Sequence, residues 1–290
     1  MVNAIDTLLQ GVLLGGRYAL MAVGLSLAFG VMRLVNVAHG DFIVLAAYLA
    51  LLVMTTLGLH PLACVLIVVP VMAAMGYALQ RTILNRVVGR DIMPGLLITF
   101  GLSVIIQNGL LEAFSADSRR LQAAELASAS FPLTNGLSIG WFPLLTLVIA
   151  AAVIAGLELF MQRSPLGRAF RAVADDPEIV ELMGYDRRHV YALAMAIAFG
   201  AIGLSSVLFG IGTIFDPAFG PPQLLFSFEA VIIGGLGSLR GTLAGGIILG
   251  VAQVIGFRID PGWGFLFGHI AFLMVLAIHP QGLFPKTREA

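Results

Sequence analysis

Charge is what this chain has least of: Asp, Glu, Lys and Arg together make 11% of its 290 residues, against about 25% in soluble domains. With 59% of residues hydrophobic, it carries more apolar surface than a soluble core of this size buries, which excludes an ordinary water-soluble domain. Acidic and basic residues balance to a net charge of zero, so no basic face is offered to nucleic acid. Cysteine is nearly absent. Cys64 stands alone inside an apolar run, which excludes a disulfide framework and a thiolate metal site and reads as a small buried hydrophobe. The histidines are scattered without ligand spacing, and no nucleophile with its base or carboxylate pair in a cleft is visible, so the chain does not read as an enzyme. The opening "MVNAIDTLLQ" lacks a basic region, so no cleavable signal is expected and the first span itself directs insertion.

What fills the chain instead is a series of apolar runs of membrane length: Gly16 to Met32, Phe42 to Leu59, Pro61 to Leu84, Pro94 to Phe114, Phe142 to Met161, Val190 to Gly212 and Trp263 to Ile278. Residues 4 to 14 read as a separate short apolar helix at the interface. Between Glu229 and Gly256 glycines interrupt the pattern, which predicts a re-entrant pair of half-helices around Gly234, Gly235, Gly237 and Gly241, with one tilted crossing as the alternative. The fold expected is therefore an all-α polytopic membrane protein of about eight membrane segments, one domain over residues 1 to 290. Residues 115 to 141 form its longest external loop, with a short surface helix near Ala123 to Ala127. Thr213 to Ser227, with Pro217, Pro221 and Pro222, reads as an irregular external lip.

Charge, where it does occur, is concentrated in "RSPLGRAFRAVADDPEIVELMGYDRRHV", residues 163 to 190. Placing this island in the cytoplasm also places Arg33, Arg81, Arg86 and Arg90 there, with Lys286 and Arg288 if the glycine-broken segment enters and leaves on one side. Arg119, Arg120 and Arg258 then face outside, as does the N-terminus, while Arg17 and Arg240 stay at undecided depth. Within the island, Asp176 is placed to cap a helix, Pro177 to begin it, Glu178 to occupy its first turn, and Gly184 to follow its end. Ile179, Leu182 and Met183 share one side. Upstream, Arg168 and Arg171 share a face beside the small residues Ala169 and Ala172. A loop that only keeps the protein oriented needs neither caps nor an apolar stripe, whereas docking a helix into a partner's groove needs both.

Three further stretches leave alternatives open. In "LVNVAHGDF", Asn36, His39 and Asp41 suit a gate or proton relay near membrane depth, while Asp41 equally suits an N-cap for a helix from Phe42, with Gly40 as the turn. "GGLGSLRG" lacks the Gly-Lys-Ser/Thr of a nucleotide loop, so this chain is not expected to bind ATP; its glycines either expose backbone to a substrate or allow close helix packing. Thr99, Ser103 and Gln107 lie on one helical face that lines a passage or bonds a neighbouring helix.

Four separated stretches, "GGRYALMAVGLSLAFGVMRLVNVAHGDFIVLAAYLA", "SPLGRAFRAVADDPEIVELMGYD", "AVIIGGLGSLRGTLAGG" and "HPQGLFP", resemble the permease subunits of branched-chain amino acid ABC importers, and the LivH-like rather than the longer LivM-like kind. The resemblance implies an importer permease fold in the bacterial inner membrane, a second LivM-like permease chain, two ABC ATPases that carry the ATP, and an external substrate-binding protein. It implies no cofactor in this chain. It also makes residues 163 to 189 the cytoplasmic coupling segment, with Gly167, Arg168, Arg171, Ala172, Asp175, Asp176, Glu178, Ile179, Leu182, Met183 and Gly184 meeting an ATPase, and Gly167→Trp or Asp175→Lys uncoupling transport without unfolding. The cargo implied is a branched-chain amino acid or a related small polar or carboxylated solute such as urea, an amide or an aromatic acid. Where many members have Glu after "AHG", this chain has Asp41. The competing class is a gradient-driven transporter or channel using His39, Asp41 and Glu158.

Overall fold

Residues Val2–Met32 form one 31-residue helix, α1, through the centre of the bundle. The computed structural model describes residues 2–88, 92–123, 126, 129–134 and 137–284, and the break expected after residue 14 does not occur. What the first turns touch explains this. Gly11 and Gly15 let α1 close on α10 (Leu239–Ile259), where an added Cβ would stand 2.6 Å from Val251 Cα and 2.4 Å from Ile247 Cα. Gly246 and Gly250 answer from α10 against Ala19 and Gly15, so two antiparallel helices interlock through small residues. The polar residues of the first turns are paired as well: Asp6 with Arg258, and Gln10 Nε2 donating to Ser138 O at 3.1 Å.

The remaining long helices are α2 (His39–Leu57), α3 (Val65–Thr82), α4 (Ile92–Phe114), α5 (Trp141–Arg163) and α8 (Arg187–Gly212), with α9 (Gly220–Gly234) and α11 (Gly264–Ile278) shorter. The island folds as α6 (Pro165–Asp175) and α7 (Pro177–Leu182). Among the described residues seven helices are long and apolar enough to cross a bilayer, and the chain is a multi-pass membrane protein. Helices α1 and α8 are largely buried, whereas α3 and α4 turn Leu66, Leu97 and Ile105 outward, as a lipid-facing surface requires. Among the described residues the strands form one ribbon in the 115–141 loop, where β1 (Ser130–Thr134) pairs antiparallel with β2 (Leu137–Gly140), Phe131 opposite Ile139. The surface helix expected near Ala123–Ala127 falls mostly outside the described residues.

The bundle separates charge by end. Arg81 meets Asp186 and Asn85 Nδ2 donates to Arg188 O, which puts the close of α3 beside the island. At the far end Arg119 exchanges backbone hydrogen bonds with Phe215, Arg120 Nε donates to Ile211 O, and Arg17 donates to Thr213 Oγ1. Arg240 joins the island end through Glu158. Arg90, Lys286 and Arg288 lie outside the described residues.

Two segments depart from expectation in ways that matter for function. The glycine-broken pair begins at Gly220 rather than Glu229, so half of the supposed external lip is helix α9. Its second arm, α10, is a full-length helix that contains Gly241. The chain reverses at Gly235 (φ 103°) and Gly237 (φ 78°), values that only glycine adopts without strain. The two arms run antiparallel, with Gly234 against Gly241 and Gly245 against Ala230.

The second departure follows α1. Residues 33–38 do not stay at the island end but fold back into the bundle, so that His39 Nε2 donates to Met21 O at 2.9 Å. Since Met21 lies eleven residues before the end of α1, α2 begins about 16 Å inside the bundle.

Candidate functional site

Both inward-starting helices begin at the same place. Gly40, in the first turn of α2, abuts Gly220 at the start of α9 so closely that an added Cβ would stand 2.0 Å from Gly220 O and 2.7 Å from Leu224 N. From that contact α2 runs toward the far end, where Tyr48 packs on Phe114 and Phe215, and α9 runs toward the island end. Two helix N-termini therefore converge inside the bundle, where their backbone N–H groups and dipoles favour negative charge. Pro221 and Pro222 follow Gly220 in the first turn of α9 and remove two N–H groups that would otherwise need partners there.

Asp41 brings a carboxyl group to this point. It is 2% exposed and does not cap α2, which starts two residues earlier; Asn36 serves the turn instead, its Oδ1 accepting from Ala38 N at 3.1 Å. The Asp41 carboxylate lies against Gly220 and accepts from Gln107 Nε2 at 2.9 Å, while Gln107 also donates to Ser103 Oγ at 3.2 Å. Val37 N donates to Thr99 Oγ1 at 3.2 Å. The polar face of α4 is thus bonded to residues 37–41. Of the path residues expected from sequence, Asn36, His39, Asp41, Thr99, Ser103 and Gln107 come together around this junction, and Gly40 supplies close approach rather than a turn.

Gly234, Gly235 and Gly237 do not join them. A Cβ on Gly234 would stand 2.2 Å from Gly241 O, one on Gly237 2.9 Å from Gly30 Cα, and one on Gly282 2.5 Å from Gly235 Cα. The carbonyls freed by the break are taken by the tail, with Leu283 N donating to Ile233 O at 2.9 Å and Phe284 N to Gly234 O at 3.0 Å. This geometry favours the close-packing alternative for the glycines. Glu158 is also remote from His39 and Asp41, bonded to Arg240 at 2.5 Å at the island end, so the three residues of a gradient-driven relay do not assemble. A pair between a buried and a partly exposed side chain has no short-range sequence signal: His269 on α11 meets the buried Glu229 on α9 at 2.5 Å, forty residues apart in sequence.

The second candidate surface is the island. Ser164 caps α6 by accepting from Gly167 N at 2.8 Å; Phe170 and Val173 are buried against the bundle. Asp176 Oδ1 accepts from Glu178 N at 2.9 Å and Ile179 N at 3.0 Å, Val180 is buried, and Gly184 ends the turn at φ 85°. With one side anchored, the other leaves Leu182 88%, Met183 70%, Tyr185 55% and Ile179 54% exposed. Arg168, Arg171, Ala172, Asp175, Asp176 and Glu178 share this exposed surface, although Arg171 is tethered by donating to Met161 O. Gly167 is different. It is buried, and a Cβ there would stand 2.4 Å from Met161 O, so Gly167→Trp would disrupt the seat of α6 and is no clean probe of docking.

The island is tied to α3 by Tyr77 Oη and His189 Nδ1 at 2.9 Å and by the Arg81–Asp186 pair. The hydrogen bond from Arg81 holds the Asp186 carboxyl below the usual carboxylate range. The contribution to folding is therefore present above that range and lost as the pH falls through the lowered value; with both side chains about half exposed, water screening keeps it under about 1 kcal/mol. Asp176→Ala, which removes the α7 cap, is expected to cost about 1 kcal/mol locally. Hydrogen exchange of residues 177–184 measures this as faster amide exchange confined to that segment.

Comparison with known proteins adds a family. A profile described as the permease component of the branched-chain amino acid transport system matches residues 7–278. The chain is 30% identical over 265 residues to the high-affinity branched-chain amino acid transport system permease protein BraD of Pseudomonas aeruginosa, covering 87% of this chain and 86% of that protein. Against LivH of Escherichia coli K12 it is 24% identical over 293 residues, covering 96% and 94%. The LivM protein of the same strain is 25% identical over 293 residues but only 68% covered, which sides with the shorter, LivH type.

Proposed function

The chain belongs to the branched-chain amino acid transport system permease family, a transport subunit rather than an enzyme, and from that premise we propose that it works by ATP-driven alternating access in a bacterial inner membrane. ATP binds and is hydrolysed on two separate ABC ATPase subunits, a second LivM-like permease completes the path, and an external binding protein delivers the cargo. That cargo is a branched-chain amino acid or a related small polar or carboxylated solute.

The observation that carries the ATPase reading is the half-exposed α7. Leu182, Met183 and Ile179 form an apolar face on a helix whose ends are capped and whose opposite side is seated, which is the form of a helix made to enter a partner's groove. Motion of the island reaches the bundle through α3, to which it is bonded by Arg81 and Tyr77, and through α8, which continues from it. The substrate path runs past the α2–α9 junction, where Asp41, Ser103 and Gln107 offer polar groups among apolar helices. Parting of the Asp41–Gln107 contact opens it.

Purifying the tagged chain from its native membrane in mild detergent, with mass spectrometry of what accompanies it, tests the assembly. A second permease and two ATPases are expected. A chain that emerges alone and carries flux in ATPase-free liposomes contradicts the reading.

A further inference from the structure

Glu158 stands five residues before the end of α5, about 7.5 Å inside the island end. Its side chain is 16% exposed and already bonded: Oε2 accepts from Arg240 Nε at 2.5 Å and Oε1 from Gln162 Nε2 at 3.1 Å. Arg240, the second residue of α10, keeps its side chain 74% exposed. Among the described residues its remaining guanidinium N–H groups have no protein acceptor. Beneath the pair, toward the middle of the bundle, a groove of 290 Å³ opens between α5 and α10, walled by Ala151, Ile154, Ala155, Leu159 and Leu243.

An apolar-walled groove between two membrane-spanning helices suits an acyl chain, and the groups at its mouth then decide which headgroup follows. The free fork of Arg240 matches a phosphate, which it holds bidentately. Glu158 makes the mouth asymmetric. Its carboxylate repels a second negative charge and accepts hydrogen bonds from an ammonium donor, which a quaternary choline cannot supply. Arg240 and Glu158 thus present a cation and an anion side by side, the complement of a zwitterion with phosphate and primary amine a few bonds apart.

We propose that the α5–α10 groove at the island end is a binding site for a phospholipid with a primary-amine headgroup, its phosphate on Arg240 and its ammonium on Glu158. The Glu158–Arg240 pair then serves lipid recognition, which goes beyond the transport reading and does not depend on the identity of the cargo.

The test is native mass spectrometry of the intact transporter released from nanodiscs holding equal parts of ethanolamine, choline and glycerol phospholipids. The wild type is expected to retain the ethanolamine lipid in preference. Arg240→Ala is expected to lower retention about fivefold, the scale of one surface cation against lipid, while Arg240→Lys keeps most of it. Glu158→Gln is expected to retain lipid but to lose the preference for ethanolamine over glycerol headgroups. Equal retention of the three classes, preference for the glycerol class, or wild-type retention by Arg240→Ala overturns the proposal. So does a wild-type transporter that retains no lipid at this groove because another subunit covers it. Melting temperatures near wild type for the Arg240 and Glu158 variants show that a lost preference is not a lost fold.

Discussion

Replacing Leu182 and Met183 together by Asp is expected to abolish ATP-dependent uptake while leaving the amount and melting temperature of the membrane protein near wild type. At 88% and 70% exposure, neither side chain supports the core, and substitutions at such positions change stability by about 0.5 kcal/mol or less. If both side chains enter an ATPase groove, however, each is a candidate anchor, and truncating one anchor of an interface typically costs about 2 kcal/mol or more, roughly thirtyfold in affinity. Two carboxylates placed there add the cost of burying unpaired charge. The expected signature is therefore a dissociation: normal insertion, loss of uptake of roughly thirtyfold or more, and loss of the ATPase chains from the purified complex. Uptake at the wild-type rate from equal membrane amounts would leave the exposed stripe without a role.

The second large effect belongs to the α2–α9 junction. Gly40→Val has no room: its first added atom would stand 2.0 Å from a carbonyl oxygen of α9, and backbone cannot swing aside as a flexible side chain does. Overpacking usually costs about 1 to 3 kcal/mol, and a backbone clash at the meeting of two helices belongs at or above the top of that range. Folded protein recovered in detergent is expected to fall sharply. Gly109→Ala on α4 is the internal control with the opposite sign, since nothing lies within 4 Å of its added Cβ and a helical Gly to Ala change gains about 1 kcal/mol. Comparing melting temperatures of the two variants checks both. Equal behaviour would contradict the close approach at Gly40.

What was legible in the sequence was what is encoded locally. Asp176, Pro177 and Gly184 mark the start and end of α7 within nine residues, and the structure forms that helix with those caps. Apolar runs located most of the spans to within a few residues, as with Phe142 to Met161 against Trp141–Arg163, though not the start of α1 at Val2. What escaped was depth and distance. Residues 33–38, in which Arg33 and Asn36 stand among four apolar residues, carry no pattern that tells a turn at the surface from a fold back beside α4; the bond from His39 to Met21 reveals that α2 starts in the interior. The pair of prolines after Gly220 was the available signal for a helix start, but beside Pro217 it read as irregular loop. The joining of α1 into one helix depends on glycines of α10 more than two hundred residues away, and the Glu229–His269 pair on a reach of forty. No local pattern carries either.

The measurement that bears most directly on the account is photo-crosslinking from position 182 in the intact transporter, with a benzophenone side chain replacing Leu182 and, as control, Leu66, which is 79% exposed on the lipid-facing surface. The prediction is an adduct between this chain and an ABC ATPase subunit from position 182 and none from position 66. Adducts to lipid alone from both positions, or no ATPase adduct from position 182 in a transporter that is actively importing, would contradict it.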